Sequence, residues 1–551
     1  MKTLKRHPFV FVFVLALLLR LGYLVAMHGT VISQWHTWHK TDMDSYLRAA
    51  HEIQAQGILA PYPYHPYDGI QAATGSFEQW ERWLGGEHGF YRAPGYYYFL
   101  AAILAPTGNS VLAVQLVQAF LGAGHAVLLG LVGARMMGHQ LAGILVGLLA
   151  ATYGPFIAGE AMILREGPGL FLAAAGLYLV LGALHRPATA ASRDYGWRWL
   201  IAGFVLGLGS LLKETGTLLF AGIWLWALVQ SLRTLSPLPR FAPWILLFGF
   251  LTAQVPFAVR NLLVGAPLLP PSSLFAWSFA MANTVDHPTG GVGQAITPGV
   301  GGIMTGADAH LLDVVRLTWQ GYEGRHIQFF LNWWARFSAT WSNIEIPDNF
   351  SYDFLALHSP LLAVLPRFVC VWLPAILAVS LLGWRWIRKD TAPSTPAFAP
   401  KTFGLLLVCL AATALPVSLT FVSSRYRMTI VPFVILLAGW TLTQFILWLM
   451  QRRIGKVTVL SAALVFLSAI SWLLPTTAHL ESQAIRSGDF VIAAALFARQ
   501  GEAAGAKYEL EKGLQYCRRL PESRRTVRAE CSGPIVAAWV AFFGETPETW
   551  H

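Results

Sequence analysis

Two carboxylates lie two residues apart in the sequence Thr41-Asp42-Met43-Asp44-Ser45-Tyr46, shortly after the first apolar run of the chain. An Asp-x-Asp pair can share a divalent cation with a diphosphate, as in enzymes that use nucleotide sugars. Alternatively, one carboxylate can act as a general base that deprotonates an acceptor as it attacks an anomeric carbon. A structural role is open as well, since Asp44 would cap a helix over residues 45–56.

Arginine residues form a second group with the potential for chemistry. Arg92 lies among aromatic residues in the sequence Gly89-Phe90-Tyr91-Arg92-Ala93-Pro94-Gly95-Tyr96. A guanidinium there can hold a phosphate by two parallel hydrogen bonds, and the alternative is an interfacial aromatic belt with a snorkelling arginine. Arg425 and Arg427 have no acid nearby in sequence, which favours an anionic ligand.

A third group consists of polar clusters at the ends of apolar segments. They are Glu160 with Arg165 and Glu166, Lys213 with Glu214, and Arg260 with Asn261. Charges near a membrane core are costly and are usually paired or functional. The first cluster can therefore simply neutralise itself, whereas Arg20, inside the first apolar run, needs a partner from another segment.

Composition places these residues in a polytopic membrane protein. Of the 551 residues, 55% are hydrophobic and 12% are charged, against about 25% charged residues in soluble proteins. The apolar run over residues 9–26 is long enough to cross a bilayer, and the basic residues before it predict a cytoplasmic N-terminus. The Asp42 segment then emerges on the opposite face, where nucleotide sugars are absent.

The apolar runs predict an all-α protein with about eleven transmembrane helices. Their predicted starts are Phe9, Val111, Leu141, Gly167, Leu200, Thr217, Pro243, Leu361, Phe403, Thr429 and Val457. Alternation from a cytoplasmic N-terminus puts the connections rich in Arg and Lys inside. This arrangement explains the net charge of +11 without nucleic acid as a partner.

Two long external loops and a polar tail complete the predicted organisation. The loops cover about residues 28–94 and 265–360 of a membrane domain over residues 1–475. The tail, residues 476–551, is predicted to be external and helical and is similar to one tetratricopeptide repeat. Cys517 and Cys531 in this tail would form a disulfide if the tail lies outside the cytoplasm.

No metal site is predicted in the first external loop. Its histidines lack the tight spacing of zinc ligands. They are His36, His39, His51, His65 and His88.

These motifs resemble those of the GT-C glycosyltransferases, in the branch of the protein O-mannosyltransferases and the lipid A aminoarabinose transferase. The resemblance lies in the order of the motifs along the chain and in their predicted location on one side of the membrane. The motifs that carry the resemblance are Asp42-Met43-Asp44-Ser45-Tyr46, Tyr91-Arg92-Ala93-Pro94-Gly95-Tyr96, the segment from Glu160 to Glu166, Arg260-Asn261, Asn343-Ile344-Glu345-Ile346-Pro347-Asp348-Asn349 and Arg425-Tyr426-Arg427-Met428. The family often has Asp-Glu where this chain has Asp42-Met43, which leaves Asp44 as the candidate for the second carboxylate.

The resemblance implies a GT-C-like helical bundle that moves a sugar from a polyprenyl-phosphate donor to an acceptor, with inversion at the anomeric carbon. Asp42 would be the general base, helped by Asp44. The donor phosphate would contact Arg92, Arg260, Arg425 and Arg427, and the substrate pocket would include Tyr46, Tyr91, Glu160, Arg165, Glu166, Asn283 and Glu345. Neither a metal nor another cofactor would be needed.

The sequence does not single out one acceptor. A glycolipid, lipid A, a polysaccharide or a protein would each suit the reaction. The expected location is a bacterial inner membrane, among whose lipids the donor is found, with the site and the tail in the periplasm. Alternative functions are an O-antigen ligase or polymerase with a lipid diphosphate donor, a lipid or sugar transporter, and a non-catalytic scaffold.

Overall fold

The structure is a computed structural model. It describes residues 7–39, 41–67, 69–184, 192–233, 238–268, 274–287, 297–387, 398–473, 485–519, 525–544 and 546–547. Within these ranges the regular structure is entirely helical, as predicted.

Nine helices of the described chain are long and apolar enough to cross a membrane. They are Pro8–Met27, Val111–Met137, Glu166–Leu184, Thr215–Leu232, Ala242–Val264, Pro360–Arg385, Pro400–Leu419, Val431–Met450 and Ile454–Ser471. A tenth span is formed if Gln140–Thr152 and Gly154–Ala161, which are bent by 50°, are taken together. The helix predicted to start near Leu200 is Ser192–Leu212, whose apolar part, Gly196–Leu212, is shorter.

Two kinds of contact hold these helices together. Arg20, in the first span, donates from Nε to Glu160 Oε2 at 2.5 Å, so the buried charge has its partner in another segment. Glycines let Ser192–Leu212 and Ala242–Val264 pack at close range, because a Cβ at Gly203 would lie 2.0 Å from the Leu246 carbonyl oxygen. Small residues at helix interfaces in membranes allow such close backbone approach.

The first external loop is largely helical. Its elements are the 3-10 helix Val31–Thr37 and the α-helices Asp42–Gln56, Gly69–Ala72 and Phe77–Trp83, followed by Gly95–Leu104 and the 3-10 helix Ala105–Thr107. The prediction that Asp44 caps a helix over residues 45–56 is wrong. Thr41 is the cap, since its side chain accepts the Asp44 N–H at 3.3 Å, and Asp42 lies in the first turn, where a negative charge suits the helix dipole.

The second external loop and the tail are helical as well. The loop contains the helices Leu274–Asn283, Pro298–Ala307, Leu311–Gly321, His326–Thr340 and Tyr352–His358. The membrane span that follows the loop is made of two helices, Pro360–Val364 and Val369–Ile387. Ser424–Arg427 is a single helical turn before Val431–Met450. The tail contains Ser487–Arg499, Ala503–Arg519 and Arg525–Phe543. The predicted domain boundary at residue 475 lies outside the described residues.

The tail packs against both external loops. Phe490 contacts Phe354 with ring centroids 5.1 Å apart, and the Arg499 guanidinium lies 5.1 Å from the Trp38 ring. A disulfide joins Cys517 and Cys531, so this pairing is confirmed. Gly501, with a φ of 80°, lies in the break between Ser487–Arg499 and Ala503–Arg519.

Candidate active site

Asp42 lies between two arginines that come from distant parts of the chain. Its Oδ1 accepts from Arg92 Nη2 at 2.5 Å, and its Oδ2 accepts from Arg425 Nη1. Asn349 fixes the carboxylate from the other side, since its Nδ2 donates to Asp42 Oδ2 at 2.9 Å and its Oδ1 accepts the Asp42 N–H. We call Arg92, Asp42 and Arg425 the clasp.

The clasp controls the ionisation of Asp42. Burial by itself would raise the pKa of this carboxyl group. The charges and hydrogen bonds of Arg92 and Arg425 outweigh burial and hold the pKa well below its usual range. Asp42 is therefore ionised in this state of the protein, but a carboxylate with so low a pKa is a weak base.

Arg425 is the most connected side chain of the site. Its Nε donates to Glu166 Oε1 at 2.8 Å, its Nη2 donates to Tyr46 Oη at 2.9 Å, and its Nη1 lies 3.4 Å from Asp348 Oδ2. Lys213 Nζ also donates to Glu166 Oε1, at 2.8 Å. With 1% of its surface exposed, Arg425 is a fixed cation that several carboxylates share.

Arg92 is held less tightly. Its guanidinium lies 4.5 Å from the Tyr91 ring and 5.2 Å from the Tyr46 ring. Among the described residues Asp42 is its only ion-pair partner, and its Nη1 is buried without a hydrogen-bond partner there. Since Arg92 also lines the cavity described below, this donor is available to a molecule that enters it.

Glu214 and Arg165 support the backbone around Arg92. Glu214 Oε1 accepts the Ala93 N–H at 2.7 Å, and Arg165 Nη1 donates to the same oxygen at 2.9 Å. Burial would raise the pKa of Glu214, but the charge of Arg165 lowers it. The backbone next to Arg92 is thus tied to the ends of two membrane helices, Glu166–Leu184 and Thr215–Leu232.

A cavity of about 470 Å³ opens beside the clasp. Its polar lining includes Asp42, Arg92, Asp348 and Asn349, and its aromatic lining includes Trp38, Tyr91, Trp277, Phe421 and Tyr426. The tail contributes Arg486, Gly488 and Ile492. Its size is that of a site for a small molecule or a sugar-sized group.

Asp348 is a second carboxylate of this cavity and was not predicted as a site residue. Burial and the nearby charge of Asp42 raise its pKa, against the opposing effect of Arg425. Asp348 belongs to the segment 343–349, which was one of the motifs of the resemblance. Its contact with Arg425 joins two distant parts of the chain, and the residues next to Asp348 in the sequence do not indicate it. Arg486, whose Nη1 donates to the Asp348 carbonyl oxygen, had no signal in the sequence.

The other predicted phosphate contacts have structural partners. Arg260 donates to the carbonyl oxygens of Leu59, Ala60 and His88. Arg427 donates to Glu345 Oε2 at 2.5 Å and to the carbonyl oxygens of Ser342 and Ile344. Of the four predicted phosphate ligands only Arg92 lines the cavity, whereas Arg260, Arg425 and Arg427 do not. The contact of all four with phosphate stays a prediction.

The remaining predicted residues divide into two sets. Tyr46, Tyr91, Arg165 and Glu166 belong to the network described above. Glu160 pairs with Arg20, Glu345 pairs with Arg427, Asn283 accepts from Arg336 at 2.5 Å, and Asp44 pairs with Arg48 at 2.8 Å. None of this second set lines the cavity, and of the first set only Tyr91 does. The roles of both sets in substrate binding or catalysis stay predictions.

Across the described ranges, no group of three or more His, Cys, Asp or Glu side chains could hold a metal ion. The carboxylates of the site face Arg or Lys instead. Metal independence stays a prediction.

Part of the chain matches a known protein family. The profile of the family described as dolichyl-phosphate-mannose-protein mannosyltransferase matches residues 82–263, about a third of the chain. The match includes Arg92, Arg165 and Arg260, and it confirms the resemblance inferred from the motifs. Over this part of the chain, the protein is similar to a family of mannosyltransferases. A search of curated proteins returned no match.

Two solved structures are similar in outline. AglB, the oligosaccharyltransferase of Archaeoglobus fulgidus in complex with an inhibitory peptide and a dolichol-phosphate, is 14% identical, with a TM-score of 0.43 over 92% of this chain and 59% of its own. ArnT of Cupriavidus metallidurans bound to undecaprenyl phosphate is 15% identical, with a TM-score of 0.41 over 97% and 80%. The chain spans less than two thirds of the oligosaccharyltransferase.

Proposed function

We propose that the protein transfers one sugar from a polyprenyl-phosphate donor to an acceptor, with inversion at the anomeric carbon and Asp42 as the general base. The reaction takes place on the face of the membrane opposite the N-terminus. The observation that carries this proposal is the clasp, in which two guanidinium groups hold a carboxylate at the edge of a cavity. A phosphate monoester or diester is the other anion that two arginines at this spacing would hold.

Donor binding and base activation are coupled in this proposal. The donor phosphate competes with Asp42 for Arg92 and Arg425, and the unpartnered Arg92 Nη1 offers it a first hydrogen bond. As the arginines turn to the phosphate, their effect on Asp42 weakens. Because burial raises the pKa of Asp42, the carboxylate then becomes a stronger base.

The chemical step follows from this arrangement. The acceptor oxygen or nitrogen attacks the anomeric carbon, and Asp42 takes its proton. The bond between that carbon and the phosphate oxygen breaks, and its electron pair leaves with the polyprenyl phosphate. Arg92 and Arg425 stabilise the negative charge that develops on the departing phosphate, which is commonly the largest electrostatic contribution to such a reaction.

Asp42→Asn tests the assignment of the base. We expect transfer by the purified protein in proteoliposomes to fall by about 100-fold or more, the usual contribution of a general base. Asp44→Asn is the matched control, because it removes the same charge two residues along the helix from Asp42, where the side chain pairs with Arg48 and does not line the cavity. Full activity of folded Asp42→Asn protein would remove Asp42 as the base. A loss in Asp44→Asn as large as that in Asp42→Asn would make Asp44 an essential partner.

A further inference from the structure

A second cavity lies at the other ends of the membrane helices. It has a volume of about 630 Å³ and is lined by residues of Val369–Ile387, Val431–Met450 and Ile454–Leu473. Arg425 precedes the first turn of Val431–Met450, whereas the cavity is lined by Trp440, Gln444 and Trp448 toward the end of that helix. At 1.5 Å per residue, Trp448 is about 25 Å from the active-site end along the helix axis.

The cavity exists because the last span stands apart from the bundle. Only 11% of the apolar stretch of this last span is buried within the protein, against 61% of the stretch in the preceding helix, Val431–Met450. A tight turn joins the two helices, in which Arg452 has a φ of 53° and the Arg453 N–H donates to the Trp448 carbonyl oxygen at 2.8 Å. This turn places Arg453 and Lys456 at the mouth of the gap.

The lining has the two-part character of a phospholipid. Its inner wall is apolar and consists of Leu377, Leu381, Val459, Leu460 and Ala463. Its mouth carries three cations, Arg385, Arg453 and Lys456, and none of the described lining residues is acidic. Tryptophans typical of a membrane interface lie beside them, with Lys456 Nζ 5.5 Å from the Trp448 ring.

The positive-inside rule accounts for basic residues at these helix ends but not for a cavity between them. Arg233 and Arg240 give the comparison. They are exposed residues of the connection between Thr215–Leu232 and Ala242–Val264, which alternation places on the same side. Neither lines the cavity.

We propose that this cavity binds an anionic phospholipid from the leaflet opposite the active site. The headgroup phosphate lies among Arg385, Arg453 and Lys456, and an acyl chain lies along the apolar wall, as at basic pockets between transmembrane helices. A polyprenyl-phosphate donor does not fit this position, because its phosphate has to reach the clasp at the other end of the helices. The inference is independent of the sugar-transfer reaction.

Native mass spectrometry of the full-length protein tests this site. Protein in detergent is titrated with phosphatidylglycerol, and separately with phosphatidylcholine, and the fraction carrying one bound lipid is measured. We expect wild-type protein to prefer phosphatidylglycerol. Arg453→Gln/Lys456→Gln should weaken its binding by about tenfold or more, since each basic residue near an anionic lipid surface contributes roughly fivefold. Arg233→Gln/Arg240→Gln, which removes the same charge, should bind like wild type.

A second variant separates the cavity from its charges. Ala463→Phe keeps every cation and fills the apolar wall, and it should also lose the bound phosphatidylglycerol. The proposal fails if the Arg453→Gln/Lys456→Gln and Arg233→Gln/Arg240→Gln variants lose lipid equally, since this would indicate a diffuse electrostatic effect. It also fails if Ala463→Phe binds like wild type, or if polyprenyl phosphate displaces phosphatidylglycerol from the site. None of these readouts depends on sugar transfer.

Discussion

In the proposed reaction, Asp42 is ionised and weakly basic while no donor is bound, and it becomes an effective base once the donor is bound. The clasp meets the first requirement, because two guanidinium groups outweigh the cost of burial and keep the carboxylate ionised. The second requirement is met only when those guanidinium groups find another anion. Arg92 and Arg425 contribute differently to this exchange, since Arg425 is bound to Glu166 and Tyr46 as well as Asp42, whereas Arg92 has Asp42 as its ion-pair partner in the described chain.

The pH dependence of the reaction should reveal the exchange. The pKa of Asp42 is lowered in the donor-free protein, so its ion pairs are present above the unfolded value of about 3.9 and are lost only as the pH falls through the lower folded value. The acid limb of kcat/KM, which reports the free enzyme, should therefore lie below about pH 4. The acid limb of kcat should lie at higher pH. In rates measured from pH 4 to 8, kcat should therefore fall on the acid side while kcat/KM should not. Acid limbs that coincide within this range, or no acid limb in kcat, would contradict the exchange.

The two arginines should differ in what their removal damages. Arg92→Gln should weaken donor binding by about tenfold or more, the loss expected for a charged hydrogen-bonding partner, and should leave thermal stability in detergent nearly unchanged. Arg425→Gln should also lower stability by about 3 kcal/mol or more, because it leaves buried Glu166 and Asp42 short of a counter-charge. Equal stability of the two variants in a thermal unfolding assay would show that Arg425 is not the fixed member of the clasp.

Among the elements, the tail has the least expected position. The start of the helix Ser487–Arg499 forms part of the cavity wall, and Arg486 joins it to the 343–349 segment through the Asp348 carbonyl oxygen. Burial would lower the pKa of Arg486, but the charge of Asp489 and their hydrogen bond raise it. The tail is therefore placed to contact whatever enters the cavity from outside the membrane.

Arg486→Gln tests this contribution of the tail. We expect the KM for the acceptor to rise by about tenfold, as for one lost charged hydrogen bond, while polyprenyl-phosphate binding stays the same. Arg499→Gln is the control, since Arg499 belongs to the same helix and lies over Trp38 without lining the cavity. An unchanged acceptor KM in Arg486→Gln, or an equal rise in Arg499→Gln, would confine the tail to a structural role.

The membrane helices were predictable from the sequence because each apolar run has to satisfy its own backbone in lipid. The predicted starts near Phe9, Val111 and Val457 coincide with observed helices to within three residues. The contacts between elements were not predictable in the same way. Asp42 and Arg425 are separated by 383 positions, and no local periodicity records such a pairing. Only the order of the motifs indicated that both residues belong to one site.

The short elements were harder for a related reason. Thr41 and Asp44 are both good caps, and the choice between them depends on how Asp42, whose N–H donates to Asn349, is held at the start of the helix. The external loops were predicted as loops, yet they consist largely of short helices that pack on each other, such as Trp80 of the first loop against Trp277 of the second, with ring centroids 5.0 Å apart. Their amphipathic faces are stabilised by this tertiary contact rather than by helix propensity.

For the whole molecule, the two ends of the helical bundle have different chemistry. One end gathers charged residues of both external loops and of the adjoining helix ends into a paired network around the clasp. The other end carries Arg233, Arg240, Arg385 and Arg453, which the positive-inside rule associates with the cytoplasm. A lipid-borne donor suits this polarity, since its tail stays in the bilayer while its phosphate reaches the clasp. A transporter would instead be expected to hold its charges near the middle of the membrane.

The most direct test of the account is the binding of polyprenyl phosphate to wild-type protein and to Asp42→Asn, measured in detergent by titration. If the phosphate and Asp42 compete for Arg92 and Arg425, removing the carboxylate charge should tighten phosphate binding by about tenfold, even though this variant no longer transfers sugar. Weaker or unchanged phosphate binding in folded Asp42→Asn protein would contradict the competition, and with it the coupling between donor binding and base activation.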